Sequence, residues 1–155
     1  YKSDDTVLVS PDAGGVERAR AYAKRLDMSI AIIDKRRTKP NEAQAMNLVG
    51  DVTGKKAILI DDIIDTGGTL IQASDALYKS GAKQVSVCCT HPVFSDPASD
   101  RIKNSELKEV IVTDTVPINK SLVGNPRVKV LSVSKLLGEA INRVYRKDSV
   151  SSLFI

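Results

Sequence analysis

Three carboxylates, Asp61, Asp62 and Asp65, are followed at once by Thr66-Gly67-Gly68-Thr69. Carboxylates do not favour a phosphate. They accept hydrogen bonds from hydroxyls or ligate a hard cation such as Mg2+. The small residues after them suit the opposite task. They let backbone N–H groups approach a phosphate, whose charge the start of a helix favours. One segment therefore offers a polyol or metal seat beside a phosphate seat, which fits a sugar phosphate. The plainer alternative is a turn with a capping Asp or Thr. One turn seldom needs three acids as well as Thr-Gly-Gly-Thr.

Two further segments carry chemistry. In Ser10-Pro11-Asp12-Ala13-Gly14-Gly15 the glycines permit tight turning and close ligand approach. Asp12 either caps the next helix or joins the other acids around Mg2+ brought in with a nucleotide. Asp34-Lys35-Arg36-Arg37-Thr38-Lys39 is strongly basic. Such a run is usually a solvated surface, but here it leaves the sheet edge that carries the phosphate loop. Positive charge around phosphate oxygens is what phosphoryl-type transfers require. His91, the sole histidine, sits at a strand end and reads as structural. The tail Ser149-Val150-Ser151-Ser152-Leu153-Phe154-Ile155 is apolar after a charged helix end, and needs a surface to bury it or else frays.

The elements that must position these groups alternate. Thr6–Val9, Ile30–Ile33, Ala57–Ile60, Val85–Cys89, Val110–Val112 and Val128–Leu131 are short apolar strands. Val16, Ala19, Ala23 and Leu26 stripe one helix; Leu70, Ala73 and Leu77 stripe another, with Gly81 where a C-terminal cap belongs. Pro97 to Lys103 is a short helix, and Leu136, Leu137, Ala140, Ile141 and Val144 line a last one. The order implies an α/β fold: an open, mainly parallel sheet with helices on both faces. A strand ending at Ile60 makes Asp61 onward a loop beyond its carboxyl end, where such sheets bind ligands. Lys35 to Gly54 breaks the rhythm and reads as a long functional loop.

A chain of 155 residues suits one domain spanning 1–155. A net charge of +4, few aromatics and no Trp make a nucleic-acid surface a poor fit, and no apolar run approaches a membrane span. Small phosphorylated ligands explain the basic excess better. Cys88 and Cys89 are neighbours on a strand, point to opposite faces and cannot easily pair. Buried thiols in a reducing compartment, and so a cytoplasmic location without a signal peptide, are expected. Tyr1 rather than Met at the start suggests a piece of a longer protein.

Taken together, Ser-Pro-Asp-Ala-Gly-Gly, Asp-Lys-Arg-Arg, Asp-Asp-Ile-Ile-Asp-Thr-Gly-Gly-Thr, Cys-Cys-Thr-His-Pro-Val-Phe and Ser-Val-Ser-x-Leu-Phe, in that order, resemble the carboxyl-terminal half of the ribose-phosphate pyrophosphokinases. These have a type I phosphoribosyltransferase-like fold. The resemblance implies Mg2+-dependent pyrophosphoryl transfer from ATP to ribose 5-phosphate. It implies that Asp61, Asp62, Asp65, Thr66, Gly67, Gly68 and Thr69 hold ribose 5-phosphate. Asp12 would ligate Mg2+, and Lys35 and Arg37 would be catalytic cations. Ser149, Ser151 and Phe154 would form an allosteric site for ADP and phosphate. It further implies a homo-oligomer, dimer-based and hexameric in the family, and an absent amino-terminal half carrying most of the adenine site. The isolated domain is then expected to be inactive. Two alternatives are a non-catalytic regulatory subunit of the synthetase and a salvage phosphoribosyltransferase. The intact acids and cations weigh against the first, and the lack of an aromatic hood segment against the second.

Overall fold

Val7, Leu8 and Val9 are all buried, as successive residues must be in a strand covered on both faces. They belong to β1 (Thr6–Ser10) in a computed structural model that describes residues 5–36 and 45–154. The chain continues through α1 (Val16–Leu26), β2 (Ser29–Arg36), β3 (Ala45–Val49), β4 (Lys56–Ile64), α2 (Gly68–Lys79), β5 (Gln84–Pro92), α3 (Ala98–Lys103), β6 (Glu109–Thr113), β7 (Val128–Leu131) and α4 (Ser134–Arg146). The strands form one seven-stranded sheet in the order β3-β2-β1-β4-β5-β6-β7. Every pairing is parallel except β2 with β3. This is the expected α/β sheet.

Side-chain alternation sorts the strands into two cores. Val7, Val9, Leu59, Val87 and Val112 pack with Leu70, Ala73 and Leu77 of α2 and with Ala98 and Ile102 of α3. Leu8, Ile58 and Ile60 pack with Ala23 of α1 on the other face. Cys89 lies in the first core and Cys88 against the second, so their opposed directions are observed. Burial pushes the Cys89 thiol up to about 12, as suits an inert core thiol. Gly81, at φ +88°, closes α2 as expected.

Two expectations need correction. Lys35 to Gly54 is not one long loop. β2 runs on to Arg36, and β3 pairs back along it from Ala45↔Arg36 to Val49↔Ile32. Met46 and Leu48, two apart on β3, pack against the core, which is why this stretch becomes a strand. Nor does the third strand stop at Ile60. β4 runs through both aspartates to Ile64, because β5 keeps pairing with it: Asp61↔Cys89, Ile63↔His91, Ile64↔Pro92. The last helix forms where its periodicity placed it, yet none of its residues is buried.

Candidate functional site

The geometry of the acids follows from unequal strand lengths. β1 ends at Ser10, and its last pairing with β4 is Val9↔Leu59. The later residues of β4 therefore project past the end of β1, level with the turn that leads into α1. That turn carries Asp12. A cavity of about 410 Å3 forms there, lined by Asp12, Asp61, Asp62 and the segment from Ile63 to Leu70. Asp12 and all seven residues assigned to the sugar phosphate thus face one space.

Within it, Asp12 Oδ1 accepts a hydrogen bond from the Gly15 N–H at 2.9 Å, so Asp12 does brace the turn before α1. Ser10 Oγ donates to the Asp12 carbonyl at 2.7 Å. A Cβ on Gly15 would come within 2.8 Å of Ser10 Oγ, so a larger residue there would displace the hydroxyl that braces the Asp12 carbonyl. Asp61 Oδ1 accepts from the Asp62 N–H at 2.9 Å. Burial, reinforced by the charges of Asp62 and Asp12, raises the Asp61 carboxyl to about 6. Asp62 is more exposed and is held below the usual carboxylate range by its hydrogen bond with Asp61 and by Arg18.

At the start of α2, Gly67 sits at φ +73°, a conformation that L side chains rarely adopt. No side chain caps the helix. Its first backbone bond runs from the Ile71 N–H to the Gly67 carbonyl at 3.0 Å. The N–H groups of Gly68, Thr69 and Leu70 precede that ladder and remain for a ligand or water.

Two cations that the sequence reading passed over complete the surroundings. Arg18, in the first turn of α1, reaches Asp62 Oδ2 with Nη2 at 2.7 Å and Asp61 Oδ1 with Nη1 at 3.4 Å. Arg101 of α3 donates from Nη1 to the Thr66 carbonyl at 2.8 Å. Neither has a local sequence signal: Arg18 looks like Arg20 or Arg25, and only the fold brings it to acids 43 and 44 residues away.

The other assignments fall elsewhere. Lys35 is in β2, opposite Met46, and Arg37 lies outside the described residues. Ser149, Ser151 and Phe154 follow α4 and do not line the cavity. Ser149 Oγ donates to Ser151 Oγ at 3.1 Å, and the Phe154 carbonyl accepts from Arg25 of α1 at 3.0 Å. Phe154 is 71% exposed, while Val150 and Leu153 of the same tail are half-buried. His91 is satisfied by Thr115, Nδ1 to Oγ1 at 2.9 Å, as a structural histidine would be.

The model of the phosphoribosyl synthetase-associated domain family matches residues 34–155. The chain belongs to this family. Ribose-phosphate pyrophosphokinases of Bacillus caldolyticus and Bacillus subtilis are 58% and 57% identical over 151 and 153 residues. Each match covers 97% of this chain, and 48% and 47% of the respective relative. A phosphoribosylpyrophosphate synthetase of Mycobacterium smegmatis, solved by crystallography, superposes with a TM-score of 0.86 at 42% identity, covering 95% of this chain and 47% of that one. A purine phosphoribosyltransferase of Pyrococcus horikoshii, at 19% identity and a TM-score of 0.51, shares the fold alone. This member of the phosphoribosyl synthetase-associated family therefore spans about half the length of the curated relatives it matches. Among its described residues no helix is long and apolar enough to cross a membrane.

Proposed function

We propose that this chain is the carboxyl-terminal, ribose 5-phosphate-binding domain of a ribose-phosphate pyrophosphokinase. It would make 5-phosphoribosyl 1-pyrophosphate from ribose 5-phosphate and ATP. The observation that carries this reading is the single cavity in which Asp12, Asp61 and Asp62 meet the 63–70 segment at the carboxyl end of β4. Acids and free helical amides lining one space match the diol and the phosphate of one ligand. Relatives named for the activity, at more than half identity across nearly all of this chain, support it.

In this reading Gly68, Thr69 and Leu70 N–H groups and the Thr66 and Thr69 hydroxyls hold the 5-phosphate. Asp65 closes the turn, and Asp61 and Asp62 accept from the ribose hydroxyls. The anomeric hydroxyl attacks the β-phosphorus of ATP and loses its proton to solvent. The bond from that phosphorus to the oxygen bridging the α-phosphate breaks, and AMP leaves. Lys35 and Arg37 stabilise the charge that builds on the transferred group. Among the described residues no three groups form a ready-made metal cage. A few carboxylates facing an open cavity suit Mg2+, which keeps most of its shell for water and substrate phosphates. Asp12 would hold that ion, which would screen the phosphate charge. ADP and phosphate would act through Ser149, Ser151 and Phe154 in a dimer-based homo-oligomer. The adenine site would lie mostly on a second domain, leaving this one inactive alone. The protein would work in a reducing compartment such as the cytoplasm, as its two free core thiols suit.

Calorimetry tests the core of this. Ribose 5-phosphate should bind this chain, and Asp61→Asn should raise its dissociation constant about tenfold by removing a charged acceptor. Mg-ATP alone should bind weakly or not at all. Failure of ribose 5-phosphate to bind, or an unchanged constant in Asp61→Asn, would overturn the assignment.

A further inference from the structure

We infer that Arg18 is a positioning residue that sets the selectivity of the acid pair for two adjacent hydroxyls. This rests on the cavity being a sugar-phosphate site. Arg18 does not line that cavity. It lines a neighbouring groove of about 280 Å3 between α1 and the sheet, with Tyr22, Leu26, Ile58 and Ile60. From behind the acids it takes one oxygen of each: Oδ2 of Asp62 at 2.7 Å and Oδ1 of Asp61 at 3.4 Å. The same Asp61 oxygen also accepts the Asp62 N–H.

Each carboxylate is thereby tied through one oxygen. Asp61 Oδ2 and Asp62 Oδ1 are left outside the arginine's reach, on two carboxyls close enough to interact with each other. Two acceptors, one from each of two adjacent residues, are what a vicinal diol can donate to at once. A planar guanidinium can fix both carboxylates in one orientation, whereas an ammonium is a single point charge without the fork. Before ligand and Mg2+ arrive, Arg18 is the cation paired with Asp61 and Asp62 among the described residues, and without it like-charge repulsion would turn the carboxylates apart. The pair is not needed for folding. Arg18 and Asp62 are 32% and 55% exposed at their side chains, and ion pairs so open to solvent contribute little stability.

The test compares ribose 5-phosphate, 2-deoxyribose 5-phosphate and inorganic phosphate by calorimetry on the whole 155-residue chain. Wild type should prefer ribose over 2-deoxyribose 5-phosphate by roughly tenfold or more, since losing one hydroxyl strands a charged acceptor. Arg18→Gln should shrink that ratio to about threefold or less, while phosphate affinity changes less than about threefold. Arg18→Lys should recover only part of the ratio, and the melting temperature should hold in both variants. A ratio unchanged in Arg18→Gln overturns the inference, as does equal weakening of all three ligands, which is what a merely structural role gives. Equal binding of both sugars by wild type overturns it too. If wild type binds no ribose 5-phosphate, the sugar-phosphate reading itself falls, and the two failures are told apart by that first titration.

Discussion

Around β4 each element is gripped from both sides; around β7 the same kind of sequence stands in solvent. Leu59 and Leu77 are fully buried between the sheet and α2, whereas on α4 Leu136 is 51% and Ile141 70% exposed. Both helices show the spacing of an amphipathic helix. The difference teaches that periodicity reports a face that needs covering, and not what covers it. It also shows where this domain's precision is spent. The acid pair and the Thr66–Thr69 turn lie beside the pairing of the two strands that run nine residues each.

The contrast is sharpest for truncations. Leu59→Ala should destabilise the chain by about 2–5 kcal/mol, read by urea denaturation, because the surrounding core relaxes only partly around the lost volume. A loss below about 1 kcal/mol would mean that the β4 core is looser than described. Gly67→Ala should cost about 1–2 kcal/mol, since alanine is strained at φ +73°, and should also weaken phosphate binding. Loss of stability with intact phosphate affinity would separate the turn from the site.

A smaller effect comes from pH. The Asp61 carboxyl is raised to about 6 in the folded chain, above its ordinary 3.8, so the folded form takes up the proton more readily. The stability this contributes is complete at acid pH and is lost as pH rises from about 4 to about 6. Asp62, shifted downward, titrates below that window. Relative to Asp61→Asn, wild type should therefore lose a few degrees of melting temperature, roughly 2–5 °C, across the interval. A constant difference would contradict the raised carboxyl. Least of all, Ile141→Ala on α4 should move stability by less than about 0.5 kcal/mol in this chain. A larger cost would show that α4 packs against its own sheet in solution, and the contrast between the two regions would disappear.

Much of this architecture is written in local pattern. Four-residue apolar runs announce β2 and β4, and Gly81 marks the end of α2 because a helix stop is a local event. β3 is harder to see: Met46-Asn47-Leu48 alternates properly, but the basic run before it makes the whole stretch look like loop. The extension of β4 through Asp61 and Asp62 is invisible locally. Carboxylates look like the end of a strand until β5 is known to continue beside them. Thr66 to Thr69 is legible because glycine and threonine in that order have few other uses. Arg18 and Arg101 are not, since their parts in the site come from tertiary contacts alone.

Asp61 lies in the ladder opposite Cys89, with Ile63 and Ile64 paired beyond it, so its main chain is already immobilised before any ligand arrives. From Gly68 onward the helix does the same. Between them only Asp65, Thr66 and Gly67 belong to neither element. Ordering backbone costs roughly 1–2 kcal/mol per residue, so what a ligand must freeze between β4 and α2 is limited to about three residues' worth of motion. Amide exchange would display it as two slow blocks separated by one short fast one, and binding would be felt almost entirely in the gap.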